Sequence, residues 1–319
     1  MLTVSKFGGS SLAGADGLDR VSDICARTLR EGSSLAVVVS ARGDTTDELL
    51  AEAHAAAVCP HPRELDAMLS TGELRSAAAL AMRLKAMGID AVSLTGAQAG
   101  IKTTGRYGDA QILSIDTSVV NSLISPGKVP VICGFQGADE AGNITTLGRG
   151  GSDTTAAYMA AALSADICRI YTDVDGVFTA DPRTVPEARL IPAVDLYDML
   201  TLARFGCGVL HPRAVEAAMA GNVPLTVLSS FSDSAGTEIK QLPHSQRPDF
   251  AGIAAEPDGN ITIVGKSAVL SLKEQVEYAL WREYFTVTAI KCGENFIRVT
   301  LPPEELTAAA RFLHSELFG

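Results

Sequence analysis

The sequence predicts an α/β protein: a large three-layer αβα domain on a mostly parallel sheet, followed by a small α+β unit. Two observations carry this. Apolar runs of strand length alternate with Ala/Leu-rich stretches of helical period, which is the pattern of successive βα units. The alternation breaks near residues 236–250, where GTEIKQLPHSQRPDF holds two prolines and few large apolar side chains, the composition of a domain boundary. The expected domains are therefore 1–245 and 246–319.

Taken in order, the strands expected in the large domain are 2–7, 35–40, 91–94, 130–135, 167–172 and 223–229. Their near-continuous Val/Ile/Leu content suits strands covered on both faces. Between them, residues 64–87 place Leu65, Met68, Leu69, Leu80, Met82 and Leu84 at roughly three-to-four-residue spacing, which predicts helix. The small unit reads strand 261–264, helix 270–284, strands 286–291 and 296–301, then helix 304–318. The last helix opens with Pro-Pro-Glu-Glu, where proline loses no needed N–H and acidic groups meet the positive end of the dipole.

Composition excludes several classes. With 319 residues, 47% hydrophobic and 20% charged, the chain can bury a sizeable core and is neither disordered nor fibrous. A net charge of −11 without any local basic cluster gives no footprint for nucleic acid. Cys25, Cys59, Cys133, Cys168, Cys207 and Cys292 are widely spaced, with no CxxC pair; reduced, mostly buried thiols and no protein metal site are expected. The chain enters strand-like TVSKF at once, and no apolar run approaches a membrane span, so a cytoplasmic protein without membrane partners is expected.

Three segments carry anion chemistry. Lys6-Phe7-Gly8-Gly9-Ser10-Ser11 follows the opening strand; glycines without Cβ atoms let backbone N–H groups approach phosphate oxygens, and the lysine supplies a point charge. Alone it reads equally as a tight strand-to-helix turn. Thr145-Thr146-Leu147-Gly148-Arg149-Gly150-Gly151-Ser152-Asp153 runs into an Ala-rich helix, offering a guanidinium fork for a carboxylate and an acid for an ammonium. Its other reading makes Asp153 a helix cap. Tyr171-Thr172-Asp173-Val174-Asp175-Gly176-Val177-Phe178, continuing to Arg183, starts at a strand's carboxyl end, where open sheets bind ligands, but taken alone it reads more readily as a solvated turn. Ser40 to Asp47 and Ser70-Thr71-Gly72-Glu73 add hydroxyls and one carboxylate that ordinary capping also explains. His211 lacks an acidic or cysteine partner in sequence and reads as structural.

In this order KFGGSS, SARGDTTDELL, STGE, SLTGAQAGI, GFQGAD, TTLGRGGSDTTAA, YTDVDGVFTADPR, VLHPRAVEAA and VPLTVLSSF resemble the successive blocks of the aspartate kinases, within the amino-acid kinase superfamily. The resemblance covers residues 1–240 almost continuously. It implies ATP and Mg²⁺ as cofactors, L-aspartate as the second substrate, and 4-phospho-L-aspartate as product, at the entry to lysine (diaminopimelate), threonine and methionine synthesis. Residue by residue, Lys6, Gly8, Gly9 and Asp153 match catalytic positions, with Lys6 the main charge stabiliser. Ser40, Thr46, Glu73, Arg149, Ser152 and Asp153 match the aspartate pocket; Arg149 would clamp the α-carboxylate, and Glu73 and Asp153 would meet the ammonium. Lys6, Gly9, Ser10, Thr172, Asp173, Phe178 and Arg183 match the nucleotide side, Phe178 standing where tyrosine is common.

One departure stands out. Phe205-Gly206-Cys207-Gly208-Val209 replaces a block usually written FGAKV, so Gly208 occupies the place of a lysine expected near the ATP phosphates. Residues 261–319 resemble the final ACT domain of these enzymes, and FAGIAAEPD at 250–258 resembles the opening of a preceding ACT domain whose remainder is absent. Loop 266–271 lacks the Asp and Pro-Gly usual at effector sites. Weak or absent feedback by lysine and threonine is therefore expected, with the ACT-like unit serving a homodimer or higher homo-oligomer. The competing readings are another small-acid kinase of the superfamily and a catalytically weak regulatory or amino-acid-sensing subunit.

Overall fold

A computed structural model describes residues 1–266 and 270–319. Residues 267–269, the centre of the loop expected to bear on effector binding, lie outside them. The chain forms two compact units: Met1–Val174 with Arg213–Ser234, and Asp175–Pro212 with Ala235–Gly319.

The first unit is built on six parallel strands in the spatial order Leu225–Ser229, Ile167–Thr172, Leu2–Phe7, Ser34–Val39, Val129–Cys133 and Ala91–Leu94. These match the expected strands to within two residues at either end. Register aligns their carboxyl ends: Phe7 lies opposite both Val39 and Tyr171, and Val39 opposite Cys133. The loops after Phe7, Val39, Cys133 and Thr172 consequently leave the sheet along one edge, where open α/β sheets place ligands.

Alternation along the first strand sends successive side chains to opposite faces. Phe7 enters a core with Leu12, with Leu35, Val37 and Val39 of the neighbouring strand, and with Val21, Leu80 and Leu84 of the helices Gly17–Arg30 and Thr71–Ala86. Its ring stacks on Tyr171 with centroids 4.7 Å apart. Lys6 points to the other face, toward the helix Gly151–Ala162, whose Ala156, Ala157 and Ala160 are fully buried. Alanines there let the helix lie close to the sheet. Each fully buried large side chain contributes about 1.5–3 kcal/mol, and Leu80→Ala would cost about 2–5 kcal/mol through the cavity it leaves.

The helix expected over 64–87 is two helices, Pro62–Leu69 and Thr71–Ala86, meeting at Ser70. A Cβ at Gly72 would lie 2.8 Å from the Ala41 Cβ, so the glycine permits the close approach of this junction to the loop after Val39. A second sheet in this unit, not foreseen from sequence, orders Ile112–Ile115, Ile101–Thr103, Gln136–Ala138 and Ile144–Thr146. These strands have three or four residues each, too few for periodicity to declare.

The second unit holds a four-stranded antiparallel sheet in the order Gly252–Glu256, Asn260–Val264, Phe296–Thr300 and Ala289–Cys292, with helices Leu270–Arg282 and Leu306–Phe318. Ile253, Ile261, Ile263, Leu280, Ile297, Val299 and Leu313 form its core. Segment 250–258 resembles the opening of a preceding ACT domain whose remainder is absent. Instead Gly252–Glu256 pairs with Asn260–Val264 in this sheet, Ile253 opposite Ile263, across a short turn in which Gly259 takes φ +93°. The strand Ala193–Asp195, paired parallel with Thr237–Lys240, belongs to this unit too.

The cysteines are all free, but only Cys25, Cys133 and Cys168 are buried; Cys207 is half-buried, and Cys59 and Cys292 are exposed. The expectation of mostly buried thiols thus holds for three of the six. Among the described residues no helix is long and apolar enough to cross a membrane.

Candidate active site

Lys6 is the penultimate residue of the central strand. Beyond Phe7 the chain turns, Gly8 N–H donating to Tyr171 O at 3.2 Å, and enters the short helix Gly9–Leu12. Gly9 is required by its neighbours: a Cβ there would lie 2.7 Å from Ala41 O, and Gly9 O accepts from Gly43 N–H at 3.0 Å. Ser40 joins the same corner, its N–H donating to Phe7 O at 3.1 Å. The helix Thr45–Ala56 then begins, with Thr46 half-buried in its first turn.

Across the sheet end, Lys6 Nζ lies 2.6 Å from Asp153 Oδ1, with the two side chains only 10% and 15% exposed. Asp153 is the third residue of its helix, whose N-cap is Gly150 (φ +69°), with no side-chain cap among the described residues. Asp153 is therefore not the cap of this helix; its carboxylate neutralises the strand-end lysine. Ser152 is buried beside it, and a Cβ on Gly134 would fall 2.7 Å from Ser152 Oγ. The next residue, Phe135, adopts φ +67°, a conformation that a bulky residue keeps only when its surroundings impose it. Its N–H donates to Thr155 Oγ1 at 3.1 Å and its carbonyl accepts from Leu147 N–H at 2.8 Å. Neither Phe135 nor Thr155 was singled out from sequence; the FQ following glycine carries no local signal for positive φ.

Glu73, on the first turn of Thr71–Ala86, is 3% exposed. Its Oε1 accepts from Ala41 N–H at 2.8 Å, while Oε2 is buried without a partner among the described residues. Burial pushes its pKa up to about 7, against the opposing pull of the Ala41 hydrogen bond. The nearby Cys133 thiol is pushed up to about 12, by burial first and by the Glu73 charge second. Arg149 is exposed between two glycines of positive φ, Gly148 (+74°) and Gly150 (+69°), three and four residues ahead of Ser152 and Asp153.

Thr172 ends the strand beside Leu2–Phe7, and its hydroxyl donates to Asp173 Oδ1 at 3.0 Å. Both belong to the unit that carries Lys6. Phe178, Arg183 and Gly208 belong to the second unit. Phe178 is bridged to Leu190, and Arg183 forks onto Asp181, Nε to Oδ1 at 3.0 Å and Nη2 to Oδ2 at 2.7 Å. That fork holds the Asp181 carboxyl below its ordinary range.

The strand-end lysine, the glycine turn, the half-buried Asp153 and the buried Glu73 gather at one edge of a parallel sheet. This arrangement gathers the charges that phosphoryl transfer to an amino acid requires. The chain belongs to the amino acid kinase family, whose description, "Amino acid kinase family", matches residues 1–229.

Its curated relatives include aspartokinases. Aspartokinase 2 of Bacillus subtilis is 45% identical over 291 residues, covering 91% of this chain and 71% of that protein. The aspartokinase of Mycobacterium tuberculosis is 46% identical over 270 residues, covering 83% of this chain. The chain spans 64% of the length of that mycobacterial protein. Among solved structures, Escherichia coli aspartokinase III in complex with aspartate and ADP superimposes with a TM-score of 0.73 at 27% identity, over 98% of this chain and 84% of that one. The same enzyme in complex with lysine and aspartate gives 0.81 at 23% identity over the whole of both chains, a likeness of fold.

Proposed function

We propose that this chain is an aspartate kinase, moving the γ-phosphoryl group of ATP onto the β-carboxylate of L-aspartate to give 4-phospho-L-aspartate. The observation that carries the reading is the pairing, at one sheet edge, of the Lys6–Asp153 ion pair with a buried Glu73 whose Oε2 has no partner among the described residues. The first suits the transferring phosphoryl group; the second is an acceptor waiting for a donor such as a substrate ammonium. The aspartokinase relatives, and the aspartate and ADP bound to the E. coli enzyme, support the choice of substrates.

The mechanism needs no base. A β-carboxylate is ionised near neutral pH, so attack on phosphorus requires alignment and neutralisation of charge on the equatorial oxygens. Lys6, with the turn that begins at Gly9, supplies that neutralisation, and the Asp153 contact holds the Lys6 ammonium in place beforehand. Arg149 would fork onto the α-carboxylate, with Ser40, Thr46 and Ser152 offering hydroxyls nearby. Ser10, Thr172 and Asp173 are assigned to the nucleotide. Mg²⁺ would enter with ATP and offset part of the phosphate charge.

The protein is further proposed to act in the cytoplasm as a homodimer or higher homo-oligomer. Supporting self-association, Trp281 and Tyr284 at the end of Leu270–Arg282 are 72% and 93% exposed, and light scattering gives the mass directly. For activity, purified protein with Mg·ATP and hydroxylamine should form the hydroxamate of L-aspartate at least about tenfold faster than that of L-glutamate, one methylene in a tight polar site being worth about 1–3 kcal/mol. Equal rates would sink the aspartate assignment.

A further inference from the structure

Asp66, on the helix that ends just before Ser70 and Glu73, is 1% exposed. Its two oxygens gather four hydrogen bonds from distant segments. Gly108 N–H donates to Oδ1 and Oδ2 at 3.1 and 3.0 Å, Thr146 N–H to Oδ2 at 2.7 Å, and the Thr146 hydroxyl to Oδ1 at 2.8 Å. Thr146 is the last residue of its short strand and stands three positions before Arg149. The intervening residues are held from the other side. Arg213 Nη1 donates to Leu147 O at 3.1 Å while Nη2 engages Asp109, and Gly148 comes so close that a Cβ would lie 2.9 Å from Gly108 O. Arg149 is thus the first side chain beyond a fully clamped segment.

Along the chain, the helix of Asp66 leads through the junction at Ser70 into the next helix, which carries Glu73. Ser70 O, at the junction between Asp66 and Glu73, accepts from Gln136 Nε2 at 2.8 Å, which secures the junction to the short sheet that also contains Thr146. We propose that Asp66 is a positioning residue that fixes Arg149 against Glu73 and thereby the place where the head of the amino-acid substrate sits. The inference rests on reading those two residues as the α-carboxylate and ammonium contacts. Its consequence is specificity. With the head fixed, a side-chain carboxylate one methylene longer overshoots the phosphoryl group; with the head loosened, the longer acid can shift back into line.

Asp66→Asn keeps shape but turns an N–H₂ toward two backbone donors, and Thr146→Val deletes the hydroxyl bond alone, with Thr146→Ser as the conservative control. Asp66→Asn and Thr146→Val are expected to raise the aspartate KM about tenfold and to lower the aspartate-to-glutamate rate ratio about fivefold or more, with kcat and the ATP KM within about threefold. Thr146→Ser should restore the parent ratio. Amide exchange over residues 144–150 should accelerate about tenfold in the first two variants and not in the control, while 167–172 stays unchanged. A folded Asp66→Asn protein with faster exchange but parental aspartate KM and ratio would reduce Asp66 to a structural carboxylate. Unaltered exchange at 144–150 would overturn the coupling itself. Should the parent fail to phosphorylate aspartate, the proposed function falls, whereas the exchange comparison still decides whether Asp66 holds the Arg149 segment. If Asp66→Asn does not fold, Thr146→Val carries both readouts.

Discussion

Lys6 and Asp153 meet as a 2.6 Å ion pair across the end of the central strand, each side chain largely withdrawn from water. The pair keeps an otherwise uncompensated ammonium extended toward the Gly8–Gly9 turn. Deleting the lysine removes charge that matters when the phosphoryl group is in flight. Lys6→Ala is expected to lower kcat by about two to three orders of magnitude with little change in aspartate KM. Arg149→Ala should instead raise aspartate KM chiefly, because the α-carboxylate contact exists in ground and transition states alike. Steady-state kinetics of both variants decide it, and one shared profile would dissolve the division of roles.

The same pair has a stability consequence. Removing one partner strands a charge in a nearly dry site, so Lys6→Ala and Asp153→Ala should each destabilise by about 2–4 kcal/mol, somewhat under the range for wholly buried pairs. Replacing both, as Lys6→Met with Asp153→Leu, should return most of that loss. Thermal unfolding of the three proteins tests it; a double variant that sums the two single losses would mean that the pair is not coupled.

Glu73 makes pH a probe of the site. Its folded pKa of about 7 stands above an ordinary value of 4.5 because burial disfavours the charged form. The folded state therefore binds more protons between pH 4.5 and 7, and the stability this group contributes is complete below 4.5 and lost as pH rises through 7. Activity runs the opposite way, since only the carboxylate can receive a substrate ammonium. For aspartate, kcat/KM should rise through about pH 7, and Glu73→Gln, which keeps an acceptor for Ala41 N–H, should abolish that limb and raise KM. A profile from pH 5 to 8.5 checks this, and a limb surviving in Glu73→Gln would assign it to another group.

Much of this site was legible because chemistry and topology coincide. Lys6, Glu73, Arg149 and Asp153 sit in segments whose glycines and charges are conspicuous, and parallel strands oblige their loops to share one edge. What stayed hidden depends on distant partners. Asp66 lies in RELD, indistinguishable from any amphipathic helix until Gly108 and Thr146 fold onto it. Phe135 shows no sign of positive φ before Thr155 and Leu147 impose it. The short strand Gly252–Glu256 reads as the start of something new, since only its partner Asn260–Val264 reveals the sheet it joins.

Gly208 offers the last test, on the nucleotide side. The resemblance implies a lysine near the ATP phosphates at this place, where this chain has Gly208. Arg183 is already forked onto Asp181, so its availability for phosphate is reduced. Two structural facts make the substitution feasible. Gly208 is exposed, with nothing within 4 Å of where a Cβ would stand, and it is not among the glycines of positive φ. A lysine can be accommodated without backbone strain. Gly208→Lys is expected to tighten Mg·ATP by about 0.5–2 kcal/mol, about two- to thirtyfold in Kd, the lower end applying if solvent screens the new contact. The gain should shrink as salt is raised from 50 to 500 mM, as for any partly exposed charge pair. Calorimetric titration of both proteins with Mg·ATP measures it. Unchanged or weaker affinity in a folded variant would show that another group already meets the phosphates.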